Sequence, residues 1–366
     1  KYLTENTIEH ALRNLRSIGF TGDSFRALDP EVPGHTSLVG TESDFQCKHE
    51  PYDGGTSEKW EFPPPDGSGR KDHFGLDCYH PQNYDGLFRG PVTLRQGLAQ
   101  SLNVPSVKTL YLASIDDTID LAERMGITTL TDRSRYGLSL VLGAAEVRPI
   151  DLASAYGVFA NDGIRNPWAL IQRIELADST VLEERQPDPM RVVDPQIARL
   201  VSDILSDNTT RAPVFGYNNS LYIPGRQVAA KTGTTQENWD AWVAGYAPSL
   251  VTVVWTGNND NKSMTRAGAG ISAAGPLWHD FMVRALAKTP IEMFIPPNPT
   301  VVDKIMFNGN YISQPDPQSP AQIHSILYYT RRDDPMGPYP ADPSADSQFQ
   351  NWEWVVRNAF HGTTGP

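Results

Sequence analysis

The sequence predicts a mixed helix-and-sheet domain, on three observations. Apolar residues recur at helical intervals from Val92 to Phe159, three runs between Val228 and Trp255 switch to period two or to continuous apolar stretches, and a helical series returns at Pro276 to Ala287. The 366 residues are 39% hydrophobic and 20% charged, with 29 glycines, enough for at least one full core and an appendage. That composition rules out a disordered or fibrous chain. A formal charge of −12, from 43 acidic against 31 basic residues, and a pI near 5.1 exclude nucleic acid as an expected partner, since phosphate binding needs a clustered positive footprint. No run approaches the ~18 apolar residues that span a bilayer, and the most apolar stretch, Leu250 to Trp255, has strand length. The chain as given reads as soluble. It begins at Lys1 without a signal pattern, so any targeting or anchoring segment is expected upstream.

Taken in order, Leu3, Ile8, Leu12 and Leu15 fall at helix-like intervals, with Thr4 and Glu5 to start a helix and Gly19 to end it. Phe25 to Gly40 contains two short apolar runs separated by Asp, Pro and Gly, the pattern of a hairpin. From Gln46 to Gln82 periodicity collapses into Gly, Pro, Asp and His, an unusually long irregular segment for a compact domain. Order returns at Val92: Leu94, Leu98, Leu102 and Val107 to Leu110 make one amphipathic series, Ile119 to Met125 another, and Pro149 to Phe159 a third, closed by Asn161-Asp-Gly163. A further helix is expected after Asp194 through Ile197, Leu200, Val201 and Ile204. Val228-Ala-Ala230, Ala241 to Tyr246 and Leu250 to Trp255 then read as three strands of an antiparallel sheet joined by short turns. Residues 290–366 carry 12 of the 30 prolines and read as an extended tail or a small appended module, either a partner-binding extended chain or a packed cover for one face.

Lys231-Thr-Gly-Thr-Thr235 directly follows a strand-like run, and by itself it is also what an ordinary strand ending in a turn would show. Ser101-Leu-Asn103 lies 130 residues earlier in a helical region, where helix capping or a solvated face is the plain alternative. A Ser-x-x-Lys, a Ser-x-Asn and a Lys-Thr-Gly together are the motif set of penicillin-binding enzymes and their β-lactamase relatives.

Long blocks carry that likeness further: Asn83-Tyr-Asp-Gly86, Gly90-Pro-Val-Thr-Leu-Arg95, Ser101-Leu-Asn-Val-Pro105, Tyr136-Gly-Leu-Ser-Leu140 with Gly143 and Glu146, Asp151-Leu-Ala-Ser-Ala-Tyr156, and Phe159-Ala-Asn-Asp-Gly163. The pattern continues through Lys231 to Thr235, Asp240-Ala-Trp242, Gly245-Tyr246 and Trp255-Thr-Gly-Asn-Asn-Asp260, with Ala27-Leu-Asp-Pro30, Leu38-Val-Gly40 and Asp44-Phe45 at the start. Over residues 25–45 and 81–290 the chain resembles the transpeptidase domain of class A, bifunctional penicillin-binding proteins. The resemblance implies an α/β fold of the penicillin-binding-protein and serine β-lactamase kind, with an antiparallel sheet of about five strands flanked by helices and the site between sheet and helical region. Its domain plan would be a leading helix or linker over 1–24, a transpeptidase domain over 25–290 with 46–82 irregular and shortened, and the tail over 291–366.

The implied chemistry is acyl transfer from a D-alanyl-D-alanine stem peptide through a serine acyl-enzyme, cross-linking peptidoglycan and blocked covalently by β-lactams. A serine hydroxyl needs a base within reach, which a lysine one helical turn later supplies if its ammonium is desolvated or sits near another cation. Lys231 would be that second cation and would attract the substrate's terminal carboxylate. Thr232 and Thr234 would bond to that carboxylate beside Thr235, and Gly233 would leave room next to the strand. Ser101 would relay a proton to the leaving amine, Asn103 would hold the substrate amide, and backbone N–H groups at the nucleophile and near Thr234 would stabilise the oxyanion. Trp239 and Trp242 flank Asp240 and either line the peptide groove or serve as core aromatics of an edge strand; Tyr136 to Ser139 either border the cleft or turn into a helix.

The chain departs from the family around the nucleophile. The one Ser-x-x-Lys is Ser68-Gly-Arg-Lys71, which follows Gly67 as the family's serine follows a glycine. Only 33 positions separate Ser68 from Ser101, shorter than the family's interval, and Asp72 to Pro81 offers Gly and Pro where the family has a helix. Three readings stand: Ser68 and Lys71 as a working pair, a lost nucleophile, or a nucleophile upstream of Lys1. Cys47 and Cys78 bracket the same segment, and a disulfide stapling it is the favoured reading for an extracytoplasmic protein, ahead of a zinc site built from Cys47-Lys-His49 and Cys78-Tyr-His80 or two thiols. No cofactor or resident metal is expected. By resemblance, the partners are stem peptide, β-lactams and cell-wall assembly proteins, the location is the extracytoplasmic face of the bacterial membrane, and membrane attachment runs only through an upstream anchor. A catalytically impaired relative that binds peptidoglycan peptide or acts as a scaffold is the competing function, and a carboxypeptidase or β-lactamase of the same clan a third.

Overall fold

The computed structural model describes residues 27–31, 81, 83–85, 90–235, 239–260, 262–264, 270–299, 324–334, 337–346, 348–349 and 352–353. The expected leading helix, the second arm of the opening hairpin, Ser68, Lys71, Cys47 and Cys78 lie outside the described residues. Strand β1 (Ala27–Glu31) pairs antiparallel with β2 (Gly90–Val92).

The amphipathic series expected from Leu94 to Leu110 is divided in two. Thr93 opens α1 (Leu94–Ala99) with a capping box, accepting from the Gln96 N–H at 2.9 Å while the Gln96 side chain accepts from the Thr93 N–H at 2.8 Å. The helix closes on a left-handed residue, Ser101 at φ +60°, and α2 (Asn103–Ala113) starts afresh. Leu102 precedes α2 and has no side chain that can cap it. The buried Asn83 does so from 20 residues away, its Oδ1 accepting from the Asn103 and Val104 N–H groups at 2.9 and 3.3 Å.

Helix α3 (Ile115–Met125) runs from the Ser114 cap to Gly126 at φ +112°, and α4 (Pro149–Ala160) from Pro149 at its first turn. Two small ladders follow that periodicity did not reveal: β3 (Ile164–Arg165) with β6 (Met190–Arg191), and between them the hairpin β4 (Arg173–Glu175) with β5 (Val181–Glu184). The strands β4 and β5 are exposed throughout, so no alternation of buried and exposed positions marks them. Helix α5 (Pro195–Ser206) starts at the expected Asp194, whose carboxylate accepts from the Gln196 N–H at 2.8 Å. Asp207 ends α5 and caps the unexpected α6 (Asn208–Phe215) through the Thr210 N–H at 2.9 Å.

The three expected strands are β7 (Ala229–Thr234), β8 (Asp240–Ala247) and β9 (Leu250–Gly257), antiparallel in the order β7-β8-β9, so among the described residues β7 is an edge. Alternation in β8 assigns its two faces. Tyr246, with Ala229 of β7, packs on Leu205, Val201, Tyr156 and Phe159 of α4 and α5; Ala241, Val243 and Ala247 pack on Trp278, Met282 and Leu286 of α8 (Gly275–Leu286), which follows the short α7 (Gly270–Ala273). Helices therefore cover both faces of the sheet. Gly245 is required where the sheet meets α8, because a Cβ there would lie 2.4 Å from Trp278 and 2.9 Å from the Ala229 carbonyl.

Residues of the C-terminal segment return to the helical side. Trp352, 1% exposed, lies edge-on to Tyr111 of α2 with ring centroids 5.5 Å apart, and Lys108 of the same helix sits 5.1 Å from the Trp352 ring centroid. Tyr111 Oη donates to Asp346 at 3.0 Å. Glu353 accepts from the Ser325 N–H at 3.0 Å and lies 2.6 Å from His324 Nδ1, closing the segment upon itself beside α9 (Ile326–Tyr329). No described helix is long and apolar enough to cross a membrane.

Candidate active site

The site begins with two side chains 130 residues apart. Lys231, on edge strand β7, donates from Nζ to Ser101 Oγ at 2.5 Å and to the Thr232 carbonyl at 2.7 Å. Strand parity explains why Lys231 points there: it shares a sheet face with Ala229 and Gly233, the face that packs on α4 and α5. Ser101 reaches it from the opposite direction because α1 ends in a Schellman closure, Ser101 N–H to the Leu98 carbonyl at 3.2 Å and Leu102 N–H to the Gly97 carbonyl at 2.9 Å. Glycine is the usual residue at that left-handed position. A serine there accepts backbone strain and gains a hydroxyl aimed at Lys231. The backbone of Ser101 thus caps the end of α1, while its hydroxyl is engaged by Lys231. Asn103, two residues on, opens α2 beside it.

Lys231 is half-buried, and burial, followed by the positive charge of Arg211, pulls its ammonium down to about 8 from the ordinary lysine value. Arg211, on α6, is 2% exposed and donates to the carbonyls of Leu205 and, at 3.3 Å, Ala230; its own acidity is raised by burial, to a value of about 10. Asp207 accepts from Arg95 of α1 at 3.1 Å, and Arg95 also pairs with Asp203. Desolvation opposes ionisation of Asp207, but its bonds from Thr210 and the charge of Arg95 outweigh it and lower its pKa. Nothing in the spacing of the sequence singled out Arg211. An arginine in a short helix carries no periodic signal of burial.

On the other sheet face, Thr234 Oγ1 accepts from the Gly270 N–H at 2.9 Å. The helix start comes so close that a Cβ on Gly270 would stand 2.5 Å from the Gly233 carbonyl and 3.0 Å from that of Trp242. Gly233 itself faces Trp242, whose Cβ would lie 3.3 Å from a Cβ added there. Thr235 is tied to Asp240 across the turn: its N–H donates to the Asp240 carbonyl at 3.1 Å and its hydroxyl accepts from the Asp240 N–H at 2.7 Å. Asp240 in turn accepts from Trp255 Nε1 at 2.7 Å. Trp239 is 41% exposed and Trp255 37% exposed, while Trp242 lies half-buried against Trp255, ring centroids 6.4 Å apart. Trp239 is thus open to solvent and Trp242 belongs to the sheet face. Of the expected site residues, Ser101, Asn103, Lys231, Thr232, Gly233, Thr234, Thr235 and Trp239 cluster around β7 and the α1–α2 junction; Ser68 and Lys71 lie outside the described residues. Among the described residues no group of three or more His, Cys, Asp or Glu side chains could hold a metal ion.

Comparison with known proteins places this arrangement. The chain is 34% identical over 211 residues to penicillin-binding protein 1A of Neisseria cinerea, covering 56% of this chain and 26% of that protein. To penicillin-binding protein 1A of Aquifex aeolicus it is 36% identical over 225 residues, covering 61% and 30% respectively. The chain therefore matches under a third of the length of these curated relatives. Its fold is similar to the crystal structure of penicillin-binding protein 1A from Haemophilus influenzae, with a TM-score of 0.57, 22% identity, and coverage of 84% of this chain and 46% of that one. It is similar also to PonA1 of Mycobacterium tuberculosis solved in complex with penicillin V, with a TM-score of 0.55, 23% identity, and coverage of 84% and 74%. The family model for the penicillin binding protein transpeptidase domain matches residues 70–283, more than half of the chain, and the chain belongs to that family.

Proposed function

We propose that this chain is a serine D,D-transpeptidase module that takes the D-alanyl-D-alanine end of a peptidoglycan stem peptide, passes it through an acyl-enzyme to an acceptor amine, and is acylated by β-lactams. The observation that carries the reading is the 2.5 Å contact from Lys231 Nζ to Ser101 Oγ beside an edge strand. An ammonium donating into a hydroxyl leaves the hydroxyl's own proton directed elsewhere, which is what protonating a leaving amine requires. With Lys231 held near 8, the pair can give and regain a proton close to neutral pH. In the proposed sequence Ser68 Oγ attacks the penultimate D-Ala carbonyl as its proton passes to Lys71. The terminal D-Ala leaves with the proton from Ser101, which Lys231 replaces. The acceptor amine then attacks the ester, its proton passing through Ser101 back to Lys231 while Lys71 returns its proton to Ser68 Oγ, which leaves as the free hydroxyl. Thr234 suits carboxylate binding because, while accepting from Gly270, it keeps its own proton for an acceptor. No other described strand pairs with the outer edge of β7, so an extended stem peptide can lie along it. Trp239 would border this groove, and Asn103 would hold the substrate amide. The location that goes with this activity is the extracytoplasmic face of the membrane.

A second reading, a non-catalytic relative that binds stem peptide in the same cleft, is favoured by one observation: the family match starts at residue 70, two positions beyond Ser68, and the chain has no other Ser-x-x-Lys. Incubation with labelled penicillin, followed by intact-mass measurement and peptide mapping, separates the two. A stable adduct on Ser68 supports the transpeptidase. An adduct elsewhere relocates the nucleophile. No adduct on folded protein, with a D-Ala-D-Ala peptide still binding by calorimetry, leaves the non-catalytic cleft.

A further inference from the structure

Behind Lys231 lies a partly buried set of charged side chains that the proposed chemistry does not use. Arg95 on α1 bonds Asp207 and Asp203; Asp207 joins α5 to α6; and Arg211 on α6 donates to the carbonyls of Leu205, in the last turn of α5, and Ala230, the residue before Lys231. One end of this chain belongs to the helix that presents Ser101 and the other to the strand that presents Lys231. A buried guanidinium is costly to desolvate, and among the described residues that of Arg211 hydrogen-bonds two carbonyls and no carboxylate. A methionine or leucine would fill such a volume at lower cost.

We propose that Arg211 is a positioning residue for Lys231: it fixes the start of β7 through the Ala230 carbonyl and keeps a like charge behind the lysine, so that Lys231 serves as a proton-exchanging partner of Ser101 and not as a permanently charged one. The proposal rests on the transpeptidase reading for its purpose but not for its test. Like-charge repulsion adds to burial in lowering the Lys231 ammonium. The ionisable groups on the elements packed around it are Asp203 and Asp207 at the end of α5, Arg95 on α1, and the phenols of Tyr156 and Tyr246, both pushed up by burial; Arg199 of α5 is paired with Asp162, Asp151 of α4 with Arg148, and Asp240 of β8 accepts from Trp255. Asp207 is the negative charge that acts on Arg211, favouring its charged form.

Each substitution has a definite sign. Arg211→Met removes a positive charge and should move the Lys231 titration upward, towards the ordinary lysine value. Asp207→Asn keeps the cap on α6 but removes the negative charge that offsets Arg211, and should move it downward. Arg211→Lys keeps the charge and should leave the midpoint near its starting value. The experiment is competitive acetylation of the whole chain with trace acetic anhydride across pH 6–12 (about the range in which lysines titrate), with the Lys231 peptide quantified by mass spectrometry. The expected wild-type midpoint is about 8. A rise of about one unit or more in Arg211→Met, with a fall in Asp207→Asn, supports the proposal. An unmoved midpoint in Arg211→Met, or a shift of both variants in the same direction, overturns it, since loosened packing alone would raise both. If near-ultraviolet circular dichroism shows Arg211→Met unfolded, Arg211→Lys and Asp207→Asn decide: a midpoint that holds in the first and falls in the second supports it, and any other pair of results overturns it. The lysine itself is the reporter, so a chain that never reacts with penicillin would sink the transpeptidase reading while the titration still tests the role of Arg211.

Discussion

Ser101 adopts φ +60° at the closure of α1, where glycine would fit without strain, and its hydroxyl is the group that Lys231 contacts. Strain and contact make opposite predictions for one substitution. Ser101→Gly should relieve the left-handed backbone, raising stability by about 0.5–1 kcal/mol and Tm by about 2 °C, while removing the hydroxyl should slow penicillin acylation by about 10²-fold. Ser101→Ala should show the same kinetic loss without the gain in Tm. Thermal melting and stopped-flow acylation of both variants check this, and a Ser101→Gly protein that is neither stabilised nor slowed would remove both the strain and the role. The Ser-x-Asn and Lys-Thr-Gly spacings in the sequence marked both partners. What spacing could not carry was the left-handed turn, because Leu94, Leu98 and Leu102 keep a helical period straight across it.

At the scale of elements, the end of β7 is held from two sides. Helix α7 meets it at Gly270, whose N–H donates to Thr234, and the β8 start meets it through Asp240 and Thr235. Gly270→Ala would place a methyl 2.5 Å from the Gly233 carbonyl, so the helix start must withdraw and the Thr234 bond must lengthen. The expected cost is about 1–3 kcal/mol of stability, with the apparent affinity for β-lactam carboxylates weakened about tenfold and the maximal acylation rate less affected. Urea unfolding and concentration-dependent acylation kinetics separate these terms; a change in rate alone would place Gly270 outside the carboxylate site. The strands of this sheet were legible because a two-residue period and continuous apolar runs report burial directly. The hairpin β4–β5 was not, since both its strands are exposed, nor was α6, whose eight residues are too few for a periodic signal.

Across the whole molecule, the C-terminal segment braces the helix that opens with Asn103. Trp352 packs against Tyr111 and Lys108, and Tyr111 bonds Asp346. Truncating this buried indole, Trp352→Ala, should cost about 3–5 kcal/mol and speed amide exchange along α2 from Val107 to Ala113. Hydrogen exchange read by mass spectrometry tests it. Protection unchanged in α2, with exchange raised only in residues 324–353, would confine the segment's role to itself. Proline content alone left both a partner-binding extended chain and a packed cover open for this region, because proline limits the backbone without saying what the chain rests on.

By itself the sequence determined the three strands and their antiparallel order, the helices α3, α4, α5 and α8 to within a few residues, the family, and the two motifs at the candidate site. Each of these is a local property: hydrophobic period, capping residues and short fixed spacings are written along a few turns of chain. Only the tertiary structure decided that α1 and α2 are separate helices joined at a strained serine, that Asn83 caps α2 from a distant loop, that Lys231 meets Ser101, and that Arg211 lies buried behind the lysine. The last three depend on which groups meet across separations of 19 to 130 residues, the left-handed closure at Ser101 does not alter the apolar period, and burial of a charged side chain leaves no trace in the period of its neighbours.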